Sequence, residues 1–396
     1  MKKKLLYIVP HDFFPAENGG QLRVFHILKA LSEKYDTTIV YFSNDPNNHA
    51  LVAAQMPHCK LIQLSNPQTK LSVLQSLKVR WALRKFSGLD VSSMVFYELM
   101  LNTLRHQDFD LIFYEHLESL SIAGKLCRKY FKNAYRIANL HNIDHEVWAA
   151  QYASFPDKHQ YLKYSQNALN AEKSLYKHVD LALLCSPDDE TKIHRLNKLK
   201  LKTLVVPNGT SIPAILPAAK VPNSLLFVGS LDYFPNTDGL TWFYENIWPK
   251  LLSRIPDTTL VVVGRGNVSN LGFMQHPQIK IIGRVENVSE FYFNAQISIV
   301  PLLDGSGTRL KIPEAMAHAV PVVSTSKGAE GNAYTHGINI MLADNPDDFA
   351  NAIATLFTSE ALHNNIKMNA LSWVKENLDW ETIGSNLVQE LQGLIQ

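Results

Sequence analysis

Arg309 and Lys311 stand two residues apart behind a glycine-bearing turn, and Glu314 follows three residues later. Two cations so spaced can match the charge of a diphosphate through charge-assisted hydrogen bonds. A carboxylate on the helix behind them can accept both hydroxyls of a ribose. The turn runs from Asp304 to Gly307 and holds Gly305, Ser306 and Gly307, with Thr308 next. An apolar run, Ile297 to Val300, leads into it. A short helical piece around Glu314 to His318 and a second apolar run, Val320 to Val323, lead away. Strand, glycine turn, helix, strand is a layout in which backbone N–H groups and a helix dipole meet a phosphate. An ordinary βαβ turn with a surface Arg and Lys reads the same way, so the surroundings decide.

Histidines form a second group. Phe109 to Tyr114 reads as a strand ending in Glu115-His116, and Tyr135 to Leu140 as one ending in His141-Asn142. The carboxyl ends of strands line the ligand crevice of an α/β sheet, so His116, His141 and Asn142 fall where a site would be. For any single one, a satisfied structural histidine is the plainer reading. His141, His145 and Glu146 mimic a metal set, but no further ligand at a fixed spacing supports zinc, and no metal is expected. The cysteines Cys59, Cys127 and Cys185 show no ligand spacing and read as unpaired thiols in a reducing compartment.

The elements that must hold these residues follow from length and pattern. A chain of 396 residues calls for two domains or three. With 46 % hydrophobic and 19 % charged residues it has ample core for a globular protein. A net charge of +2 argues against a nucleic-acid partner. Met1 to Val9 carries the charge of a signal peptide, but its apolar run, Leu5 to Val9, is too short for one. No stretch approaches the roughly 20 apolar residues of a membrane span. A cytoplasmic protein is expected. The patch Arg80, Trp81, Arg84 and Lys85 suits a packing face or a peripheral contact at the inner face of a membrane, and both stay open.

Leu5 to Val9 reads as a buried parallel strand, followed by a loop with Pro15 and Gly19-Gly20, a helix from Gln21 to Lys34 and a strand from Thr37 to Phe42. This opens a doubly wound sheet without a G-x-G-x-x-G fingerprint, so Gly19 and Gly20 are read as letting backbone approach a ligand. Further expectations are a strand at Leu61 to Leu64, helices near 70–86 and 91–107, and a long polar helix from Glu146 to Lys177. After Val206-Pro-Asn-Gly209 the Pro/Ala-rich stretch 208–223 reads as a linker. A second βα series starts at Leu225. Its helix Asp238 to Ser253 carries Trp242, Phe243, Tyr244 and Trp248, read as core rather than a sugar platform.

In this order the segments resemble the GT-B glycosyltransferases, specifically the large retaining family 4. The segments concerned are Pro15 to Gly20, His141-Asn142, Val206 to Gly209, Phe227-Val-Gly-Ser230, Val261 to Gly266, Ile282 to Val288, Ala295 to Pro301, Pro313 to Ala317 and Pro321 to Thr325. The resemblance implies an α/β fold of two Rossmann-like doubly wound domains facing a cleft, with C-terminal helices returning to the first. The expected organisation is 1–207 for the acceptor, a linker at 208–223, 224–375 for the nucleotide-sugar, and 376–396 crossing back. It implies a UDP- or GDP-linked sugar donor, no cofactor or obligatory metal, and a saccharide or lipid-linked acceptor, as in bacterial polysaccharide, glycolipid or glycoconjugate synthesis. Glu314 would take the ribose, the backbone of Val285 and Glu286 the base, and Gly305, Ser306, Gly307 and Thr308 the diphosphate and sugar, beside Gly229. His141 would contact that sugar, with Gly19, Gly20, His116 and Asn142 lining the cleft.

Two departures stand out. Many members carry a second Glu eight residues before the first, where this chain has Ser306. Many also carry an Arg and a Lys after the first strand of the second domain, where Gly229 to Gly239 has neither. Arg309 and Lys311 are read as a relocated pair, acting in catalysis by holding the leaving diphosphate. A silent subunit, a sugar-nucleotide epimerase and a phosphorylase on the same fold are the rival readings.

Overall fold

The computed structural model describes residues 2–16, 18–64, 104–154, 157–216, 220–266, 276–305 and 308–395. Ser306, Gly307, the Arg80–Lys85 patch and almost all of the helices expected near 70–86 and 91–107 lie outside these residues. The chain divides into two compact units, Met1–Pro207 with Gly384–Gln396, and Asn208–Ile383.

The first unit is built on seven strands: β1 Lys4–Val9, β2 Asp36–Phe42, β3 Lys60–Leu64, β4 Leu111–Glu115, β5 Tyr135–Asn139, β6 Leu181–Leu184 and β7 Lys202–Val205. They pair in parallel in the order β3-β2-β1-β4-β5-β6-β7. Runs such as Leu-Leu-Tyr-Ile-Val are apolar at every position because both faces of such a sheet are covered, and Leu5 to Val9 are all buried. Helix Gly19–Lys34 turns Val24, Ile27, Leu28 and Leu31 inward, at helical spacing. The helix starts two residues before the expected position. Asn18 accepts from the Gln21 amide at 3.0 Å, so Gly19 and Gly20 form the first turn rather than a loop. The single helix expected from Glu146 to Lys177 is two, Asp144–Ser154 and Gln160–Glu172, with a 3-10 turn at Leu175–Lys177. Pro156 between them cannot donate within a helix. Near the C-terminus, the Ile395 carbonyl accepts from Lys3 Nζ at 2.7 Å.

The second unit has six strands: β8 Ser224–Val228, β9 Thr259–Val263, β10 Ile279–Gly283, β11 Ile297–Val300, β12 Val322–Ser324 and β13 Met341–Leu342. They are parallel, in the order β10-β9-β8-β11-β12-β13. Helix Phe234–Trp242 runs on through a π segment at Phe243–Ile247 into Trp248–Leu252. Phe243 and Trp248 are buried in the core, and Trp242 and Tyr244 pack against it. Residues of the 208–223 stretch pack within this unit: Thr210 bridges to Asp379, and Asn208 Nδ2 donates to Thr308 Oγ1 at 2.9 Å. Among the described residues no helix is long and apolar enough to cross a membrane.

Each sheet reverses its winding once, between β1 and β4 in the first unit and between β8 and β11 in the second. Loops diverge at such a point and leave a crevice at the carboxyl ends of the strands.

Candidate functional site

In the second unit the reversal point gathers the residues singled out from the sequence. β8 ends at Val228, and Gly229 follows with its amide on the Val263 carbonyl at 2.9 Å. Lys311 is the first residue of helix Lys311–Ala317, and its side chain reaches back to β8. Its Nζ donates to Asn236 Oδ1 at 2.7 Å and lies 4.2 Å from the centroid of the Phe227 ring. A methyl group on Gly229 would stand 2.7 Å from that Nζ. The missing side chain is what lets the amine reach the strand end. Asn236 is itself fixed, because its Nδ2 donates to the Ser230 carbonyl at 2.8 Å.

One turn along the same helix, Glu314 Oε2 accepts from the buried Tyr292 hydroxyl at 3.2 Å. His318 stacks on Tyr292 with centroids 5.0 Å apart and meets Ser289 Oγ at 2.9 Å. Arg309 is buried, at 8 % exposure. Gly305 has φ +119, a conformation that favours glycine, and a Cβ there would lie 3.2 Å from both Arg309 Nη2 and the Tyr233 hydroxyl. Burial pushes the Lys311 amine down to about 7, Arg309 adds to the shift and Glu314 opposes it. Burial pushes the Glu314 carboxyl up to about 7, against the hydrogen bond from Tyr292 and the charge of Lys311. Burial also lowers Arg309. The unit thus holds the desolvated Lys311 amine at a sheet end, beside the Glu314 carboxyl and within electrostatic reach of Arg309. Val285 and Glu286 lie in the loop after β10.

The first unit's reversal point has another chemistry. Glu115, at the end of β4, is fully buried, and the β4–β5 register sets it beside Asn139. Tyr7 of β1 donates to Glu115 Oε2, Asn139 Nδ2 donates to Oε1 at 2.8 Å, and His141 Nε2 contacts Oε1. Asn139 Oδ1 accepts from Arg23 Nη2 at 2.8 Å and Nε at 3.2 Å. The same guanidinium donates from Nη1 to the Val206 carbonyl at 2.6 Å. Burial drives the Glu115 carboxyl and the Tyr7 phenol up. His116 opens helix His116–Tyr130 at φ +61, and its ring lies 3.8 Å from that of His141. Asn142 is exposed.

The set His141, His145 and Glu146 does not form, since His145 pairs with Glu172 at 2.5 Å and Glu146 with Lys192 at 2.8 Å. Among the described residues, Glu115, His116 and His141 could hold a metal ion, with ligand atoms within 4.8 Å of one another. Sequence reasoning passed over Tyr7, Arg23, Asn139, Asn236 and Tyr292. A signal was present for Arg23, a cation among the inward positions of an apolar helix face, and for Asn139, a polar residue closing a buried strand.

Comparison with known proteins bears on what these crevices serve. Residues 222–359 match the family described as Glycosyl transferases group 1. Over its full length the chain superposes on HepE of Anabaena, solved with UDP and glucose, with a TM-score of 0.71 at 15% identity, covering 99% of this chain and 100% of that one. The fold is GT-B. Sucrose-phosphate synthase from Thermosynechococcus elongatus shares this GT-B fold with a TM-score of 0.71 at 20% identity, covering 99% of each chain. In sequence, an uncharacterised 44.6 kDa protein in the cps region of Klebsiella pneumoniae is 30% identical over 176 residues. That alignment covers 42% of this chain and 45% of that protein.

Proposed function

We propose that this GT-B protein is a retaining, family 4-type glycosyltransferase, moving a sugar from a nucleoside-diphosphate sugar to an acceptor hydroxyl. The observation that carries the reading is the Lys311 amine at the end of β8, held by Asn236 against Gly229 with Arg309 near by. A diphosphate there would meet the Lys311 amine and the Arg309 guanidinium through charge-assisted hydrogen bonds. Glu314 takes the ribose hydroxyls, Val285 and Glu286 the base, and the turn from Gly305 through Ser306 and Gly307 to Thr308 lies under the phosphates and the sugar. Arg309 and Lys311 stabilise the charge that develops on the leaving diphosphate as the sugar becomes oxocarbenium-like. HepE was solved with UDP and with UDP-glucose, which favours a UDP-linked donor over a GDP-linked one. The first unit, through Gly19, Gly20, His116 and Asn142, serves the saccharide or lipid-linked acceptor, and His141 contacts the transferred sugar. Polysaccharide, glycolipid or glycoconjugate synthesis at the cytoplasmic face of a membrane is the proposed setting.

Thermal unfolding with UDP, GDP, ADP, CDP and NAD tests the donor site. A ligand at about 100 times its dissociation constant adds roughly 2.7 kcal/mol of stability. One nucleoside diphosphate is expected to stand out. Product anomeric configuration, read by NMR with the donor so identified, tests retention. A shift with NAD alone overturns the reading, and no shift with any nucleotide favours a silent subunit.

A further inference from the structure

The hydrogen bonds around Glu115 run in one direction, and that direction locates a proton. Arg23 cannot accept, so the Asn139 atom facing its Nε and Nη2 is the carbonyl Oδ1. The Asn139 atom facing Glu115 is therefore the amide Nδ2, which donates to Oε1 at 2.8 Å. Oε1 is thus an acceptor. Tyr7 donates to the other oxygen, Oε2, so both oxygens accept and the carboxyl stands as a carboxylate. His141 Nε2, which meets the same Oε1, must then bring the hydrogen itself. A neutral imidazole protonated at Nε2 carries its lone pair at Nδ1.

Nδ1 faces the start of helix Gly19–Lys34, where a Cβ on Gly20 would lie 3.5 Å away. Among the described residues no hydrogen bond occupies it. The His116 ring, 3.8 Å from that of His141, packs against the imidazole. We propose that Glu115 is a positioning residue, which fixes His141 in its Nε2–H form and leaves Nδ1 to accept a hydrogen bond from a saccharide hydroxyl over Gly20. Only the identity of that partner rests on the glycosyltransferase reading. The place of the proton does not.

The same residues pose a competing answer, since Glu115, His116 and His141 are metal-ligand types close together. A metal on this face of His141 needs the Nε2 lone pair, hence the opposite tautomer. One measurement separates the two. Long-range proton–nitrogen NMR of the full chain, labelled with 15N-histidine, reports which nitrogen of His141 holds the hydrogen. The expected result is Nε2–H in the wild type and in Glu115→Gln, whose carbonyl can replace Oε1, and its loss in Glu115→Met. If Glu115→Met does not fold, the wild type and Glu115→Gln still decide. An Nδ1–H signal in the wild type, or joint displacement of the His116 and His141 signals by one equivalent of Zn2+, overturns the proposal. Glucose at high concentration, as the saccharide probe, should shift the Nδ1 resonance with the tautomer unchanged. A resonance that stays put overturns the acceptor role, whatever the nucleotide experiments show.

Discussion

The two units place the same pair of residues at the point where their sheets reverse, and surround it differently. In the first, the Tyr7 hydroxyl donates to Glu115; in the second, the Tyr292 hydroxyl donates to Glu314. The side chains hydrogen-bonded to Glu115 are Tyr7, Asn139 and His141, and behind them Arg23 is held on backbone carbonyls. Beside Glu314 stands the desolvated Lys311 amine, with Arg309 within electrostatic reach of that amine. One crevice is a closed polar network that orients an imidazole. The other sets a desolvated amine beside a carboxyl, the arrangement the proposed donor site would use. A shared topology therefore fixes where a site lies, while its charge decides what it serves.

If that contrast is right, damage to the first network should cost stability and damage to the second should cost binding. The largest effect belongs to Arg23→Ala. It strips Arg23, which is fully buried, from Asn139 Oδ1, the buried Val206 carbonyl and the half-buried Pro207 carbonyl. Each orphaned polar group costs about 1–3 kcal/mol, so roughly 3–5 kcal/mol of stability should go. Denaturant unfolding followed by a probe in the first unit measures it, and UDP affinity of the folded fraction should be unchanged.

Lys311→Ala is the mirror case. It should weaken UDP binding by about 1–3 kcal/mol, the worth of a hydrogen bond to a charged group, read by titration calorimetry. Its thermal midpoint without ligand should not fall as that of Arg23→Ala does, because a buried lysine with a lowered pKa is a cost to the fold. Arg309→Ala should lose binding on the same scale. Full UDP and GDP affinity in both variants would end the idea that these two residues stand in for the missing pair.

The pH dependence sharpens the contrast further. Lys311 must be protonated to meet a diphosphate, so binding raises its pKa. Its contribution is full below about 7 and fades as pH rises. Glu314 must be ionised to accept ribose hydroxyls, so binding lowers its pKa. Its contribution is full above about 7 and fades as pH falls. UDP affinity should therefore peak near neutrality. Lys311→Ala should flatten the alkaline limb and Glu314→Gln the acid one, in calorimetry from mild acid to mild alkali. Monotonic curves in the parent protein would show that these two groups do not both meet the ligand.

Much of this was legible in the sequence because parallel sheets write themselves as apolar runs, and strand ends then mark the crevices. Lys311 and Glu314 were found that way, as were His116 and His141. What stayed hidden was reach across sequence. Nothing in Phe234-Pro-Asn236 announces that Asn236 will hold an amine 75 positions on, since that contact depends on how helix Lys311–Ala317 lies against β8. Tyr7 and Tyr292 read as core aromatics, and they are buried as such. Only the parallel register, which carries Tyr7 past β4, reveals that the hydroxyl has a carboxylate to meet.

The two tyrosines give the smallest test and the most even one. Tyr→Phe removes one hydroxyl and keeps the ring: at Tyr7 it removes a donor to Glu115, and at Tyr292 a hydroxyl shared between Glu314 and the Lys311 carbonyl. Glu115 is fully buried and Glu314 only partly, and an unmet donor or acceptor costs more where water cannot replace it. Tyr7→Phe should lower stability by about 1–3 kcal/mol. Tyr292→Phe should cost about 0.5–1.5 kcal/mol, and part of it should appear in UDP binding, because losing this hydrogen bond lets Glu314 rise further and leaves less carboxylate at neutrality. If Tyr292→Phe costs stability alone, as Tyr7→Phe should, Glu314 belongs to a closed network too and the contrast between the units fails at its weakest joint.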